Sequence, residues 1–184
     1  LLKPGEYIIA IDGKKVSGDE ALHQFLTQKT TRLTTFTVNS KPTASDSRKV
    51  TYKLLSSTEW TSLRYNEKVQ ELRNRVEQSS DGKIGYLHIS AMGSKDQEKF
   101  EREVYEYIQG KDAMIFDVRF NNGGNISDTL IDWLERKPHG IYKSRDREPE
   151  MAPSKSWNKP VVVLMNEHSY SNGEMFPYAM RERG

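Results

Sequence analysis

The stretch that most constrains the fold is Pro160-Val-Val-Val-Leu-Met-Asn-Glu-His-Ser-Tyr-Ser171-Asn-Gly-Glu174. Its apolar, β-branched opening predicts a buried strand. The run breaks into small polar residues, and the segment from Glu174 to Arg183 has helical character, so Ser171 sits at a sharp strand-to-helix turn. The first N–H groups of a helix lack intrahelical partners and lie at the positive end of its dipole, which suits a developing oxyanion. Ser169-x-Ser171-x-Gly173 is close to the Gly-x-Ser-x-Gly elbow, with serine in place of the first glycine. Ser171 is therefore the candidate nucleophile. Ser, Asn and Gly also make an ordinary capped turn, so this stretch alone leaves both readings open. Pro177 predicts a helix that starts a little after Asn172 or kinks at the proline.

The 184 residues suffice for one good core and a small appendage. Mean hydropathy of −0.80 and the lack of any long apolar run argue against a membrane span. A net charge of +2 gives no case for nucleic acid, and the absence of cysteine excludes disulfides, thiolate metal sites and a cysteine nucleophile. No His-Glu-x-x-His pattern supports a metal, and no phosphate-loop ending supports a nucleotide. No cofactor is expected. The chain opens at Leu1-Leu-Lys-Pro without an initiator Met, which predicts a fragment or processed piece.

Three regions follow from the patterning. Residues 1–56 alternate apolar and polar positions around one short helix from Asp19 to Gln28, with Asp19 as its cap and Ala21, Leu22, Phe25 and Leu26 on one face. The hairpin Lys3-Pro-Gly-Glu-Tyr-Ile-Ile-Ala-Ile-Asp-Gly-Lys14 resembles the central hairpin of a PDZ domain, which implies a partial PDZ-like β domain that positions its neighbour. Residues 57–80 predict a connecting helix using Val69, Leu72 and Val76, with a Glu71/Arg75 pair. Residues 81–184 alternate strand and helix: a strand over 83–89, an amphipathic helix over 95–109, a strand over 113–118, a helix over 126–136, a charged loop over 145–157, then the strand before Ser171. That order predicts an α/β fold with a largely parallel sheet.

A second loop, Asn121-Asn-Gly-Gly124, joins a buried strand directly to a helix. Adjacent glycines permit positive φ and let N–H groups converge, giving a second donor of the oxyanion type or simply a turn. Two such loops at the C-terminal ends of strands mark where sheets of this kind hold ligands. Asp117-Val-Arg-Phe-Asn-Asn-Gly-Gly124, Gly82-Lys-Ile-Gly-Tyr-Leu-His-Ile89 and Asn166-Glu-His-Ser-Tyr-Ser-Asn-Gly-Glu174 together resemble the tricorn-type branch of the tail-specific (C-terminal processing) serine peptidases. The resemblance covers essentially the whole chain. It implies an α/β core like that of Clp proteases and crotonases, with Ser171 as nucleophile. It further implies an oxyanion hole from the amides of Asn172 and a glycine, Gly124, with Asp117 and Arg119 bracing the loop.

The same resemblance implies a peptide or unfolded polypeptide substrate, a homo-oligomeric parent protein and a cytoplasmic location, with periplasm or cell envelope as the alternative. Gly123 and Tyr142 are expected as substrate contacts, Tyr142 where the tricorn enzyme has an acidic residue. The family's activating histidine and its acid lie outside the matching positions, so the chain alone is expected to be inactive. His23, His88, His139 and His168 are expected to be solvated or structural. Two other classes stay open: a non-catalytic peptide-binding scaffold of the same architecture, and a crotonase-like enzyme acting on acyl thioesters.

Overall fold

A computed structural model describes residues 1–19, 21–27, 29–153 and 156–184. Glu20 and Gln28 of the expected first helix, and Ser154 and Lys155 of the charged loop, lie outside the described residues. The chain divides into two compact units, Leu1–Asn66 and Glu67–Gly184.

In the first unit β1 (Tyr7–Ile11) and β2 (Lys14–Lys15) are joined by Asp12 and Gly13, both at positive φ, the backbone that a two-residue hairpin turn requires. The Asp12 carboxylate accepts the Thr35 N–H at 2.7 Å and so fixes the turn to the neighbouring strand. With β3 (Leu33–Asn39) and β4 (Arg48–Lys53) the sheet is antiparallel in the order β2-β1-β3-β4. Ile11, Phe25, Phe36 and Val38 form its core. The helix is shorter than expected: α1 spans Leu22–Leu26, its preceding residue is Ala21, and no side chain caps it. Only Phe25 of the expected apolar face is buried, because five residues make little more than one turn and present a single position to the sheet.

Helix α2 (Ser57–Ser79) contains the division between the units. Ser56 and Glu59 cap it reciprocally: Ser56 N–H donates to Glu59 at 2.8 Å and Glu59 N–H to Ser56 Oγ at 3.1 Å. Val69 is buried, and Arg75 pairs with Glu71 at 3.2 Å, as the spacing predicts.

The second unit is α/β. Strands β5 (Ile84–His88), β6 (Ala113–Asp117) and β9 (Val161–Leu164) form a parallel sheet with β6 in the middle. Three helices cover one face of it: α3 (Ser94–Glu103), α4 (Ser127–Leu134) and α5 (Asn172–Arg183). Phe116 of β6 lies at the centre, stacked on Phe100 of α3 (centroids 5.4 Å apart) and edge-on to Phe176 of α5 (4.8 Å). Trp133 of α4 meets Phe100 edge-on at 5.1 Å. The outward edge of β5 is satisfied by side chains: Ile84 N–H donates to Ser80 Oγ, while Arg73 Nε and Lys99 Nζ donate to the carbonyls of Tyr86 and His88. Such capping closes a strand edge to further pairing.

Three expectations change. The helix over 95–109 ends as a π-helical turn, Val104–Ile108, with Val104 and Ile108 both buried in the core. Gly85 makes room for it, since a Cβ there would stand 2.3 Å from Ile108 Cδ1. The charged loop contains β8 (Glu150–Ala152), which pairs antiparallel with β7 (Gly140–Tyr142). The apolar run expected as a buried strand is the edge strand β9: Val161 and Val163 pack on the core, but Val162 is 56% exposed. A continuous apolar run signals burial on two faces, and here only one is covered.

Phe116→Ala is expected to lower unfolding stability by about 3–5 kcal/mol, because its two aromatic neighbours, Phe100 and Phe176, would be left around the cavity. Urea unfolding of the two chains measures it.

Candidate functional site

The C-terminal ends of the three strands turn into three loops that are bonded side to side. Beyond β5, Met92 N–H donates to Gly123 C=O and Asn125 N–H to Met92 C=O, both at 2.8 Å. Beyond β9, Ser169 Oγ donates to Val118 C=O (2.9 Å), and Asn166 Oδ1 accepts the Phe120 N–H (3.0 Å).

Asn121 ties all three together and is fully buried. Its Nδ2 donates to Ile89 C=O at 2.8 Å, its Oδ1 accepts the Gly123 N–H at 2.8 Å, and its backbone C=O accepts the Tyr170 N–H at 2.9 Å. Gly173 packs directly on it, since a Cβ there would fall 2.9 Å from Asn121 Cβ.

Ser171 lies at the tip of the β9–α5 connection, exposed, at φ 53° and ψ −118°. A non-glycine residue there carries strain of about 1–3 kcal/mol and persists only where its surroundings hold it. Gly123, also at positive φ, faces it: a Cβ on Gly123 would come within 2.8 Å of Ser171 Cβ and 3.4 Å of Asn172 N. A side chain at 123 would therefore displace the serine.

The amides beside this serine sort into bonded and free. Gly123 N–H is held by Asn121 Oδ1, and Ser171 N–H by the Glu174 carboxylate at 2.8 Å. Among the described residues, the N–H groups of Gly124 and Asn172 donate no hydrogen bond. Across a planar trans peptide the N–H points opposite to the C=O. Gly123 C=O points to Met92 on the β5 side, so Gly124 N–H is turned toward the β9 side, where Ser171 lies. Ser171 C=O accepts from the N–H groups of Glu174 and Met175 inside α5, so Asn172 N–H points out of the helix. The Asn172 side chain is used elsewhere: its Oδ1 accepts the Ser127 N–H at 3.1 Å and caps α4.

On the sheet face opposite the aromatic core, Asp117 is fully buried. It accepts from Tyr86 Oη at 2.7 Å and from Arg119 through N–H, Nε (3.0 Å each) and Nη2 (2.5 Å). Burial pushes its carboxyl up, but the bonds from Arg119 and Tyr86 outweigh burial and hold it below the ordinary value. Burial and the Asp117 bond push the Tyr86 phenol up, so it stays a donor. His88 Nε2 meets Arg119 C=O at 3.0 Å, and burial lowers its pKa despite that bond and the Asp117 charge.

Of the expected site residues, the structure brings together Ser171, Asn172, Gly123 and Gly124. Tyr142 lies apart, on the β7–β8 hairpin and 68% exposed; no hydrogen bond or ring contact joins it to these loops among the described residues. His168 stacks on Phe120 (5.2 Å) and lies 3.5 Å from Glu167; among the described residues no histidine hydrogen-bonds Ser171. Asn121 and Glu174 carry bonds that the sequence reading did not assign. For Glu174 a signal existed, the Ser-x-x-Glu pattern of a capping box.

Peptidase family S41 matches residues 83–184, more than half of the chain. The chain belongs to this family. It is 28% identical over 177 residues to the tricorn protease of Thermoplasma volcanium, a match that covers 96% of this chain and 17% of that protein. It is 30% identical over 122 residues to tricorn protease homolog 1 of Streptomyces coelicolor, covering 66% of this chain and 11% of the homolog. The crystal structure of the tricorn protease superposes on it with a TM-score of 0.80 at 28% identity, over 98% of this chain and 17% of that one. This S41 chain thus spans about a sixth of the length of the tricorn proteases it matches. No described helix is long and apolar enough to cross a membrane.

Two outcomes follow from these bonds. Because the folded pKa of His88 is depressed, the unfolded chain binds more protons just below the ordinary histidine value near 6.5. Stability is therefore highest above about pH 6.5, falls as pH drops through that value, and levels off below the folded pKa. Thermal melts across pH should show this step, and His88→Gln should remove it. Asn121→Ala, which strands a buried carbonyl at Ile89 and an amide at Gly123, should cost roughly 2–5 kcal/mol in urea unfolding.

Proposed function

We propose that this chain is part of a tricorn-like serine endopeptidase, made of the end of a PDZ-like domain and the first part of an S41 catalytic core. The observation that carries the reading is Ser171, exposed at a strained strand-to-helix turn, with the partnerless amides of Gly124 and Asn172 beside it. In this reading Ser171 Oγ attacks the carbonyl carbon of a peptide bond. The oxyanion that forms accepts from the Gly124 and Asn172 N–H groups, and an acyl-enzyme follows. Because a strained elbow fixes the serine before substrate arrives, little reorganisation accompanies the attack.

A general base must take the hydroxyl proton and return it to the leaving amine. On the family resemblance the base and its acidic partner are assigned to chain outside these residues, and the chain alone is inactive; in keeping with this, no histidine hydrogen-bonds Ser171 among the described residues. Gly123 belongs to this site as the backbone wall facing Ser171; Tyr142 is kept as a substrate contact only on the strength of the family resemblance. Substrates are peptides or unfolded polypeptides, the parent protein is a homo-oligomer, and the reaction needs no cofactor.

A fluorophosphonate serine probe tests this directly. Ser171 should be labelled in the full-length protein that carries this chain and not in the 184-residue chain. Ser171→Ala should lower peptide hydrolysis by ~10⁴-fold or more while circular dichroism is unchanged. Labelling of neither protein, with both folded, would favour a peptide-binding scaffold that keeps this architecture without catalysis.

A further inference from the structure

Ser171 has a backbone conformation that must be imposed from outside, and one side chain is placed to impose it. Glu174 grips both polar groups of the Ser171 backbone: its carboxylate accepts the Ser171 N–H at 2.8 Å, and its own N–H donates to the Ser171 C=O at 2.9 Å. In an ordinary capping box the residue before the helix lies in the extended region, with negative φ, and the exchange of bonds merely finishes the helix end. Here that residue is at φ 53°. The carboxylate bond, together with the backbone bond to the Ser171 C=O, fixes a residue whose free preference is elsewhere. It also removes the Ser171 amide from the space above the helix, leaving Asn172 as the first amide that points out of it.

We infer that Glu174 is a positioning residue, which clamps the Ser171 backbone so that Oγ is held in one direction and the Asn172 amide is reserved for the substrate carbonyl. This rests on Ser171 being the nucleophile. The contribution is geometric. A carboxylate three residues from the serine does nothing to help a negative charge develop nearby, so the site uses Glu174 as a hydrogen-bond acceptor and not as a charge. Glutamine keeps that acceptor, and alanine removes it. Glu174 is exposed, so neither substitution opens the core.

The test compares Glu174→Ala and Glu174→Gln. In the 184-residue chain, amide hydrogen exchange at Ser171 reads the clamp itself. In the full-length protein, peptide hydrolysis and fluorophosphonate labelling read its catalytic effect. Glu174→Ala should speed Ser171 exchange and lower kcat and the labelling rate by ~10–100-fold. KM should stay within about twofold, the signature of a loss confined to the transition state. Glu174→Gln should restore all three. Unaltered exchange and kcat in the alanine variant would overturn the inference, as would a glutamine variant no better than alanine. If the unsubstituted protein neither labels nor hydrolyses, the peptidase reading falls; Ser171 exchange then decides the clamp, faster in alanine and restored in glutamine if it stands, the same in all three if it does not.

Discussion

The buried carboxamide of Asn121 is the interaction on which the loops at the top of the sheet depend. A primary amide has two donors and an acceptor that accepts twice, and Asn121 spends them in different directions, toward Ile89 beyond β5 and Gly123 in its own loop. Its backbone C=O reaches a third element through Tyr170 N–H, immediately before Ser171. In a site shielded from water each bond is worth more than at the surface, and each is costly to leave unmade. Three loops already bonded side to side are thereby locked in one arrangement.

Strain can be stored on that frame. Ser171 and Phe120, both non-glycine residues at positive φ, flank Asn121 on adjacent loops. Each is pinned by an amide: Phe120 N–H to Asn166, Ser171 N–H to Glu174. The glycines do the complementary work. Gly123 and Gly173 are where a neighbouring residue comes too close for any added side chain, Ser171 and Asn121 respectively. Below them the Asp117–Arg119–Tyr86 cluster fills the sheet face opposite the aromatic core with satisfied polar groups, so the end of β6 is braced on both sides.

Much of this was legible in the residue order. The alternation of apolar strands with helical stretches after residue 82 specified a parallel sheet, because each crossover returns the chain to the same end. Both polar loops therefore had to lie at one edge of it. Ser171 stood out as a serine at a strand-to-helix break, and the Gly123-Gly124 pair as a place for positive φ. Asn121 did not stand out, because Asn before Gly is common in turns and nothing local says that its side chain points inward. The edge position of β9 was hidden for a related reason: Val-Val-Val-Leu reads the same whether one face or two are covered.

The sequence by itself determined the element order, the loops that carry serine and glycines, and the absence of thiol chemistry, because these depend on periodicity and residue type within a few positions. Only the tertiary structure decided which amides are free and which are taken. That choice depends on whether acceptors two and three residues away, Asn121 at Gly123 and Glu174 at Ser171, close their bonds, and on peptide planes turned by the neighbouring strand. The Ser-x-x-Glu spacing hints at one of these bonds, but the direction of each peptide plane, and so of the Gly124 and Asn172 amides, is set by packing in three dimensions.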